Sequence, residues 1–470
     1  MRFLLSFVFI LFLVANQAHA KDINDEGVAK LNKLFTKLIE ARKEELGKEE
    51  NILTTNGEIQ IEKASNYYAV TLPPIEIANS EKEILKLGMT AINVTPTKNP
   101  DDWIMSAALP TPIFITDSSG KISQQITIGK QRANVRWSNT LENFSEIDIA
   151  YEDIRYIHEK SAEIVYIQFM NINSNLREKN KKVTGPYNIE MKNIFFGTSS
   201  RPTKSAIGEV RFNLNFEEMP INSLFENSNL FNIGNYGAFS FKGNIKDIRN
   251  KYDLGSFTFE YETKKPVKGT IDQNVKLGYI GADILKNQDD YIDLLPERVA
   301  INLDLNKLPY EDLAYILQTK ASAPNQTALS AMNLMQSLTL LPSKMAREGT
   351  MFNIDNFDFF SEIYSLKTKG VLKASDMSPL AMIGDIEITA KGVKRVEEIL
   401  EKKLDEEEDE KIKQALSNGL RQINLIQAFC LKEDGDEYSC RVSLDEEGQF
   451  KINKKSVGDV IDIFSVTNSQ

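Results

Sequence analysis

The chain has 470 residues and a formal net charge of −11 at neutral pH. Because nucleic acid attracts proteins mainly through Lys and Arg side chains, this acidic balance argues against a nucleic-acid partner. The sequence holds two histidines, one of them in the first 20 residues, so the remainder cannot form a multi-histidine zinc site. The length suits two or three domains, or one elongated repeat structure.

Residues 1–20 have the pattern of a secretory signal peptide. Arg2 precedes the apolar run Phe3–Val14, and the segment ends in Ala-His-Ala. A retained membrane anchor is the alternative, but this run is shorter than the roughly 20 residues that span a bilayer. We therefore predict cleavage after Ala20, a periplasmic location and no transmembrane segment in the mature protein.

An amphipathic helix is predicted within residues 21–56, because apolar residues between Val28 and Ile39 recur at helical spacing. The helix either packs on its own domain, which we favour, or faces a partner or a membrane. From residue 57 to about residue 310 the apolar period changes to two, which predicts strands. Residues 57–200 form the β-rich N-terminal part, which includes a hairpin with its turn at Asp117–Gly120.

Residues 201–383 contain an internal repeat of a strand, a proline and a short helix. Residues 212–224 align without a gap with residues 301–313, and the alignment pairs Pro220 with Pro309. Proline is favourable at the first helical position, where its missing N–H has no helical partner. Chance similarity between strand-rich segments is the alternative to true repetition.

The second copy of the repeat carries a helical insertion at residues 317–349. Its apolar stripe includes Met332, Met335 and Leu338, and thioether side chains adapt to varied apolar shapes. These residues form a possible surface for an apolar ligand or partner. A helix that faces the core is the alternative, and we favour it.

The remaining residues, 384–470, predict a helical stretch followed by a C-terminal β-hairpin. Residues 405–410 are all acidic, which we interpret as a solvated helix face or connection, since consecutive helical carboxylates do not converge on a calcium ion. Cys430 and Cys440 flank an Asp-Gly turn signal, so we predict a disulfide in an oxidising compartment. Two free thiols are the alternative.

No pattern indicates catalysis. His158 lies without a recognisable catalytic partner, and we expect an ordinary loop histidine. Ser118 and Lys121 match Ser-x-x-Lys, but they lie within hairpin-turn residues. The segment Gly197–Arg201 lacks the second glycine of a nucleophile elbow. We predict no catalytic residue, no cofactor and no metal site.

Several segments together resemble those of a family of secreted or periplasmic proteins of Gram-negative bacteria that is distantly similar to the AsmA-like envelope proteins. They are Gly57-Glu-Ile-Gln-Ile, Tyr68-Ala-Val-Thr-Leu-Pro73, the repeated strand–proline–helix units and the cysteine hairpin. The resemblance covers most of the mature chain and implies no catalytic residue. AsmA-like proteins usually keep an N-terminal membrane anchor, whereas this chain is expected to be released.

The predicted fold class is α+β and strand-rich. We expect a long, curved, mostly antiparallel sheet built from repeated strand–short-helix units, with helices on one side. The leading hypothesis is a non-enzymatic periplasmic scaffold or binding protein of the cell envelope, which holds an apolar, lipid-like ligand or binds an envelope protein. The alternative is a periplasmic hydrolase that uses acidic residues. The sequence leaves the oligomeric state open.

Overall fold

The computed structural model describes residues 23–48, 50–99, 102–198, 200–220, 238–249, 253–281, 295–313 and 328–456. The predicted signal peptide and residues 317–327 of the predicted insertion lie outside them. The chain divides into two compact units, residues 1–217 with 243–251 and residues 218–242 with 252–470. Antiparallel strands dominate both units, which confirms the predicted strand-rich α+β class.

The described helices and the described strands are each numbered in chain order. The helices are α1 (Asp25–Lys48), α2 (Ala328–Glu348), α3 (Val393–Glu406) and α4 (Glu410–Phe429). The strands are β1 (Ile52–Thr55), β2 (Gln60–Lys63), β3 (Tyr68–Leu72), β4 (Ile75–Ala78), β5 (Ile84–Leu87), β6 (Thr90–Pro96), β7 (Trp103–Ala107), β8 (Ile113–Thr116), β9 (Ile122–Ser138), β10 (Asn143–His158), β11 (Glu163–Asn175), β12 (Arg177–Lys179), β13 (Lys182–Thr198), β14 (Arg201–Pro220), β15 (Ala238–Arg249), β16 (Asp253–Thr263), β17 (Thr270–Ile280), β18 (Arg298–Pro309), β19 (Met351–Phe360), β20 (Ser365–Ala374), β21 (Met382–Lys391), β22 (Leu431–Lys432), β23 (Glu437–Leu444), β24 (Phe450–Ile452) and β25 (Lys455–Ser456).

In the first unit, two groups of short strands pair with opposite halves of β9. One group follows the order β1–β4–β5–β8, and β8 places Ile113 opposite Ile126 of β9. The other follows β2–β3–β6–β7, and β7 places Trp103 opposite Trp137 of β9. The other edge of β9 pairs with β10, followed by β11 and β13. The 17 residues of β9 thus join all these strands, and the predicted β8–β9 hairpin is confirmed.

The core of the first unit lies between the sheet and α1. Leu31 and Phe35 of α1 are fully buried in one cluster with alternate residues of the strands, such as Tyr68 and Val70 of β3. The Tyr68 hydroxyl also accepts a hydrogen bond from the Asn24 backbone N–H at 3.0 Å, next to the start of the helix. The predicted helix is confirmed, and it packs on its own unit.

In the second unit, β16, β17, β18, β19, β20, β21 and β23 pair in that order, and each pairing is antiparallel. Helices α3 and α4 pack against each other and against this sheet through a cluster that includes Leu400, Leu416, Ala390 and Tyr438. Because Ala390 and Tyr438 are paired residues of β21 and β23, the two helices lie on the face to which these side chains point.

The acidic run at residues 405–410 ends α3, connects the two helices and begins α4. The Asp409 carboxylate caps α4, because it accepts hydrogen bonds from the backbone N–H groups of Lys411 at 2.8 Å and Ile412 at 3.4 Å. This agrees with the prediction of a helix face or connection.

A Cys430–Cys440 disulfide joins the end of α4 to β23, as predicted. Leu431 of β22 pairs with Ser439, and Gly435 adopts a φ of 73° in the turn between the two strands. The short β22–β23 ladder therefore brings Cys430, which directly precedes β22, close to Cys440 of β23, with 4.7 Å between their Cα atoms.

The prediction that proline begins a short helix requires a correction at Pro309. Pro309 is the last residue of β18, where it pairs with Thr270, and residues 310–313 are helical. Proline is compatible with a strand end because it only lacks a hydrogen-bond donor there. Pro220 likewise ends β14, and the residues that follow it lie outside the described part of the chain.

The two aligned strands end in the same way. Glu218 and Lys307, which the repeat pairs with each other, have positive φ angles of 55° and 54°. The residues that follow them, Met219 and Leu308, are both buried. A kink of the backbone before the proline turns an apolar side chain inward in both copies. The repeat itself stays a prediction, supported by this shared strand ending.

Candidate functional site

The sheet of the second unit has one apolar and one polar face. In a strand, side chains alternate between the two faces, and directly paired residues of neighbouring strands point to the same side. Phe259 of β16 is opposite Leu277 of β17, which is opposite Ile301 of β18 and then Phe357 of β19. The residues that flank this row on each strand are polar or small, and they point to the opposite face.

We call the apolar side from β16 to β20 the apolar sheet face. It comprises Phe257, Phe259, Tyr261, Val275, Leu277, Tyr279, Val299, Ile301, Leu303, Leu305, Phe352, Ile354, Phe357, Phe359, Leu366 and Leu372. Its length along the strands, from Val299 to Leu305 of β18, is about 20 Å at the usual rise per residue.

None of these side chains is buried, although all lie in the middle of a paired sheet. Phe257 is 40% exposed, and the others are partly exposed. Among the described residues, Leu366 alone of the apolar sheet face packs against one of the two core clusters. By contrast, apolar residues of paired strands in the first unit, such as Val135 and Ile149, are buried. Part of the apolar sheet face therefore remains in contact with solvent and is available to a binding partner.

Aromatic side chains extend this face toward β15. Phe241 and Phe259 have their ring centroids 5.8 Å apart, and Phe239 and Tyr261 have theirs 5.5 Å apart. Desolvation by burial raises the pKa of Tyr261 to about 12. The Tyr261 hydroxyl is therefore partly removed from solvent, although the side chain as a whole is only half-buried.

Two polar residues lie on the same face at one end. Thr263 of β16 is paired with Gln273 of β17, in the row that continues to Leu305 and Phe352. Thr263 is 3% exposed and Gln273 is 7% exposed. Within the described part of the chain, Thr263 Oγ1 and Gln273 Nε2 are both buried without a hydrogen-bond partner. We call these two residues the polar pair.

The opposite face of the sheet carries a ladder of amides and carboxylates. Asn274 donates to Asn302 at 2.9 Å and to Asp304 at 2.6 Å, and Asn302 donates to Asp355 at 2.8 Å. Desolvation and the neighbouring Asp304 carboxylate raise the pKa of Asp355. Asp355 also lines a shallow groove with Asp385, which is paired with Arg441 at 3.2 Å.

The predicted surface residues of the insertion are on the solvent side of α2. Met332 is 69% exposed, Met335 is 66% exposed and Leu338 is 44% exposed. The core-facing interpretation that we favoured is therefore wrong for these three side chains. The helix has contacts with β18 and β20, so it packs on the sheet through other residues.

His158 is the last residue of β10, and its ring forms hydrogen bonds to Ser161 in the turn that follows. Its Nδ1 accepts a hydrogen bond from the backbone N–H of Ser161 at 3.1 Å, and the Ser161 hydroxyl lies 2.9 Å from the same nitrogen. Among the described residues no carboxylate bonds its other ring nitrogen, so the pair lacks the third member of a catalytic triad. This geometry fits the loop histidine that we expected.

The Ser-x-x-Lys match lies in the β8–β9 turn, as predicted. Asp117 accepts hydrogen bonds from the backbone N–H groups of Ser119 at 2.9 Å and Lys121 at 3.2 Å. With the Ser119 hydroxyl as the first cause, these bonds lower the pKa of Asp117 to about 2. Ser119 and Lys121 thus stabilise a turn through Asp117. Ser199, in the incomplete nucleophile elbow, lies outside the described residues.

Within the described ranges, no helix has the length and the hydropathy needed to cross a bilayer. Within the same ranges, no group of three or more His, Cys, Asp or Glu side chains is arranged to hold a metal ion.

In the sequence, the apolar sheet face is visible only as strands in which apolar and polar residues alternate, for example from Phe257 to Tyr261. Alternation could not reveal how many strands align, or that the resulting face remains partly exposed. Comparison with known proteins adds no further constraint: no protein-family model matches the chain, and no curated protein is similar to it in sequence.

Proposed function

We propose that this protein is a non-enzymatic binding protein of the bacterial periplasm that holds a lipid-like ligand on its apolar sheet face. The single observation that carries the proposal is the partial exposure of that continuous face. Soluble proteins rarely leave a large contiguous apolar patch open to water, and such patches are typical of binding surfaces. The periplasmic location rests on the predicted signal peptide and on the disulfide, which is typical of oxidising compartments.

A hydrocarbon chain suits this face in chemistry and in size. Aliphatic and aromatic side chains offer it dispersion contacts but no charge, so they favour an apolar ligand over a sugar or a nucleotide. The hydrocarbon core of a bilayer is about 30 Å thick, so one acyl chain extends about 15 Å, which fits the length of the face along the strands. Each buried CH₂ group contributes about 0.8 kcal/mol before the cost of association.

Replacement of Leu303 by Gln tests this proposal directly. Leu303 lies in the middle of the face, between Val275 and Ile354. The matched control is Val371→Gln, because Val371 is an aliphatic residue of the same sheet that points to the polar face and is 45% exposed. Binding is measured in the purified full chain by the fluorescence of a pyrene-labelled acyl probe.

We expect the wild type and Val371→Gln to bind the probe with equal affinity. Leu303→Gln is expected to bind it at least about fivefold more weakly, since an amide without a partner at an apolar contact costs about 1–3 kcal/mol. Urea unfolding of each variant controls for loss of fold. Equal affinity in all three proteins, or no binding to the wild type, would reject the apolar sheet face as the site.

A hydrolase that uses acidic residues is the second candidate function. The observation that favours it is the closeness of the Asp355 and Asp304 carboxylates: desolvation and Asp304 raise the pKa of Asp355, and a carboxyl group with a raised pKa is typical of a general acid. Hydrolysis of a substrate by the wild type and its loss in Asp355→Asn, with unchanged probe binding, would support this candidate instead.

A further inference from the structure

We infer that the polar pair, Thr263 and Gln273, anchors the carbonyl end of an acyl ligand whose hydrocarbon chain lies on the apolar sheet face. This inference rests on the proposed function and adds the ligand's head group and its orientation. Its basis is a pair of buried donors that the protein leaves without acceptors.

An unsatisfied buried donor is uncommon in a folded protein. Most buried polar atoms find a partner, and one without a partner loses its hydrogen bonds to water with no compensation. Thr263 Oγ1 and Gln273 Nε2 both lack a partner, although they belong to directly paired residues. The two residues therefore place unsatisfied polar groups on neighbouring strands, and Ile271, two residues before Gln273, is buried together with its paired residue Leu308.

The chemistry of the two atoms specifies an acceptor. An amide Nε2 only donates, and a threonine hydroxyl can donate while it rotates. A carbonyl oxygen has two lone pairs and can accept from both at once. A cation would be repelled by the partly positive donor hydrogens. A hydrocarbon without a polar end would leave both donors unsatisfied. The ligand class is therefore an acyl compound with a carboxyl or ester carbonyl.

The position of the pair fixes the direction of the ligand. Thr263 is the last residue of β16 and Gln273 lies near the start of β17, and Tyr261 and Val275 continue the same face. Both side chains belong to this face, and because the two atoms are buried, a ligand carbonyl would reach them after rotation about the Gln273 side-chain bonds. A carbonyl held at the pair leaves the hydrocarbon chain to extend over the aromatic and aliphatic residues.

The test compares three ligands of the same chain length: dodecanoic acid, its methyl ester and dodecane. Their affinities are measured by displacement of the pyrene-labelled probe from the wild type and from the double variant Thr263→Val, Gln273→Leu. The variants replace the two polar groups with apolar groups of similar size. The control is Thr263→Ser, which keeps the hydroxyl. Urea unfolding of every variant verifies the fold.

We expect the wild type to bind the acid or the ester about tenfold more tightly than dodecane. The double variant should lose this preference and keep its affinity for dodecane, and Thr263→Ser should retain the preference. Preference for the acid alone indicates a free fatty acid, and preference for the ester indicates an esterified lipid.

The inference is overturned if the double variant keeps the preference for a carbonyl, as it would if a buried water satisfied the two donors. It is also overturned if all three ligands bind the wild type equally, and in both cases the proposed function stands. If none of the three binds, the proposed function itself fails.

Discussion

Single residues in this protein show how a turn can be stabilised by one carboxylate. Asp117 holds the β8–β9 turn through Ser119 and Lys121, and its lowered pKa links the turn to pH. Because the folded-state pKa lies below the ordinary value of 3.8, the ionised carboxylate stabilises the fold above that value. The stabilisation is lost as the pH falls toward about 2.

Replacement of Asp117 by Asn is therefore expected to lower the free energy of unfolding at neutral pH. The difference from the wild type should shrink as the pH falls from about 4 to about 2, because the wild-type carboxylate becomes protonated over that range. Urea unfolding at a series of pH values measures this difference. A difference that stays constant with pH would show that the charge of Asp117 does not stabilise the turn.

The backbone conformation of other single residues could not be predicted from sequence patterns. Asp153 and Asp247 adopt positive φ angles of 56° and 53° within long strands. An added Cβ at Gly129 would lie 2.9 Å from the Cβ of Asp153, and one at Gly208 would lie 2.8 Å from that of Asp247. Because the two glycines lack a Cβ, they leave space for aspartates with a left-handed backbone conformation on the neighbouring strands. Such a pair depends on strand register, which alternation alone does not determine.

At the scale of elements, the helices differ in how their apolar residues are used. Leu400 of α3 is 8% exposed and approaches Gly419 of α4, where an added Cβ would lie 3.3 Å from its Cδ1. Met335 of α2 is 66% exposed. Both residues belong to apolar stripes with helical spacing in the sequence, and only the packing of neighbouring elements separates them. For this reason the helix was predictable but the direction of its apolar stripe was not.

The two helices give a matched pair of substitutions. Leu400→Ala should lower the free energy of unfolding by about 2–5 kcal/mol, because a buried side chain between two helices leaves a cavity. Met335→Ala should change it by less than about 0.5 kcal/mol, because its side chain is mostly in solvent. Urea unfolding of both variants decides the point, and a large loss for Met335→Ala would mean that α2 is covered in solution.

At the scale of the whole molecule, the strand-rich α+β class, the α1 helix, the β8–β9 hairpin and the disulfide followed from local patterns. Each depends on neighbouring residues, such as alternating apolar side chains or a turn between two cysteines. The apolar sheet face depends instead on the register of strands from residues 253–374, and the polar pair depends on burial. These are non-local properties, which explains why the sequence placed the possible ligand surface on Met332, Met335 and Leu338 of the insertion and not on the sheet.

The central claim is that this protein holds a lipid-like ligand, and native mass spectrometry of the full chain from the envelope of its own host tests it most directly. The account predicts a bound species of lipid mass that collisional activation releases, and less of that species in Leu303→Gln than in Val371→Gln. Protein recovered without any bound lipid, which instead converts a substrate in an Asp355-dependent reaction, would contradict it.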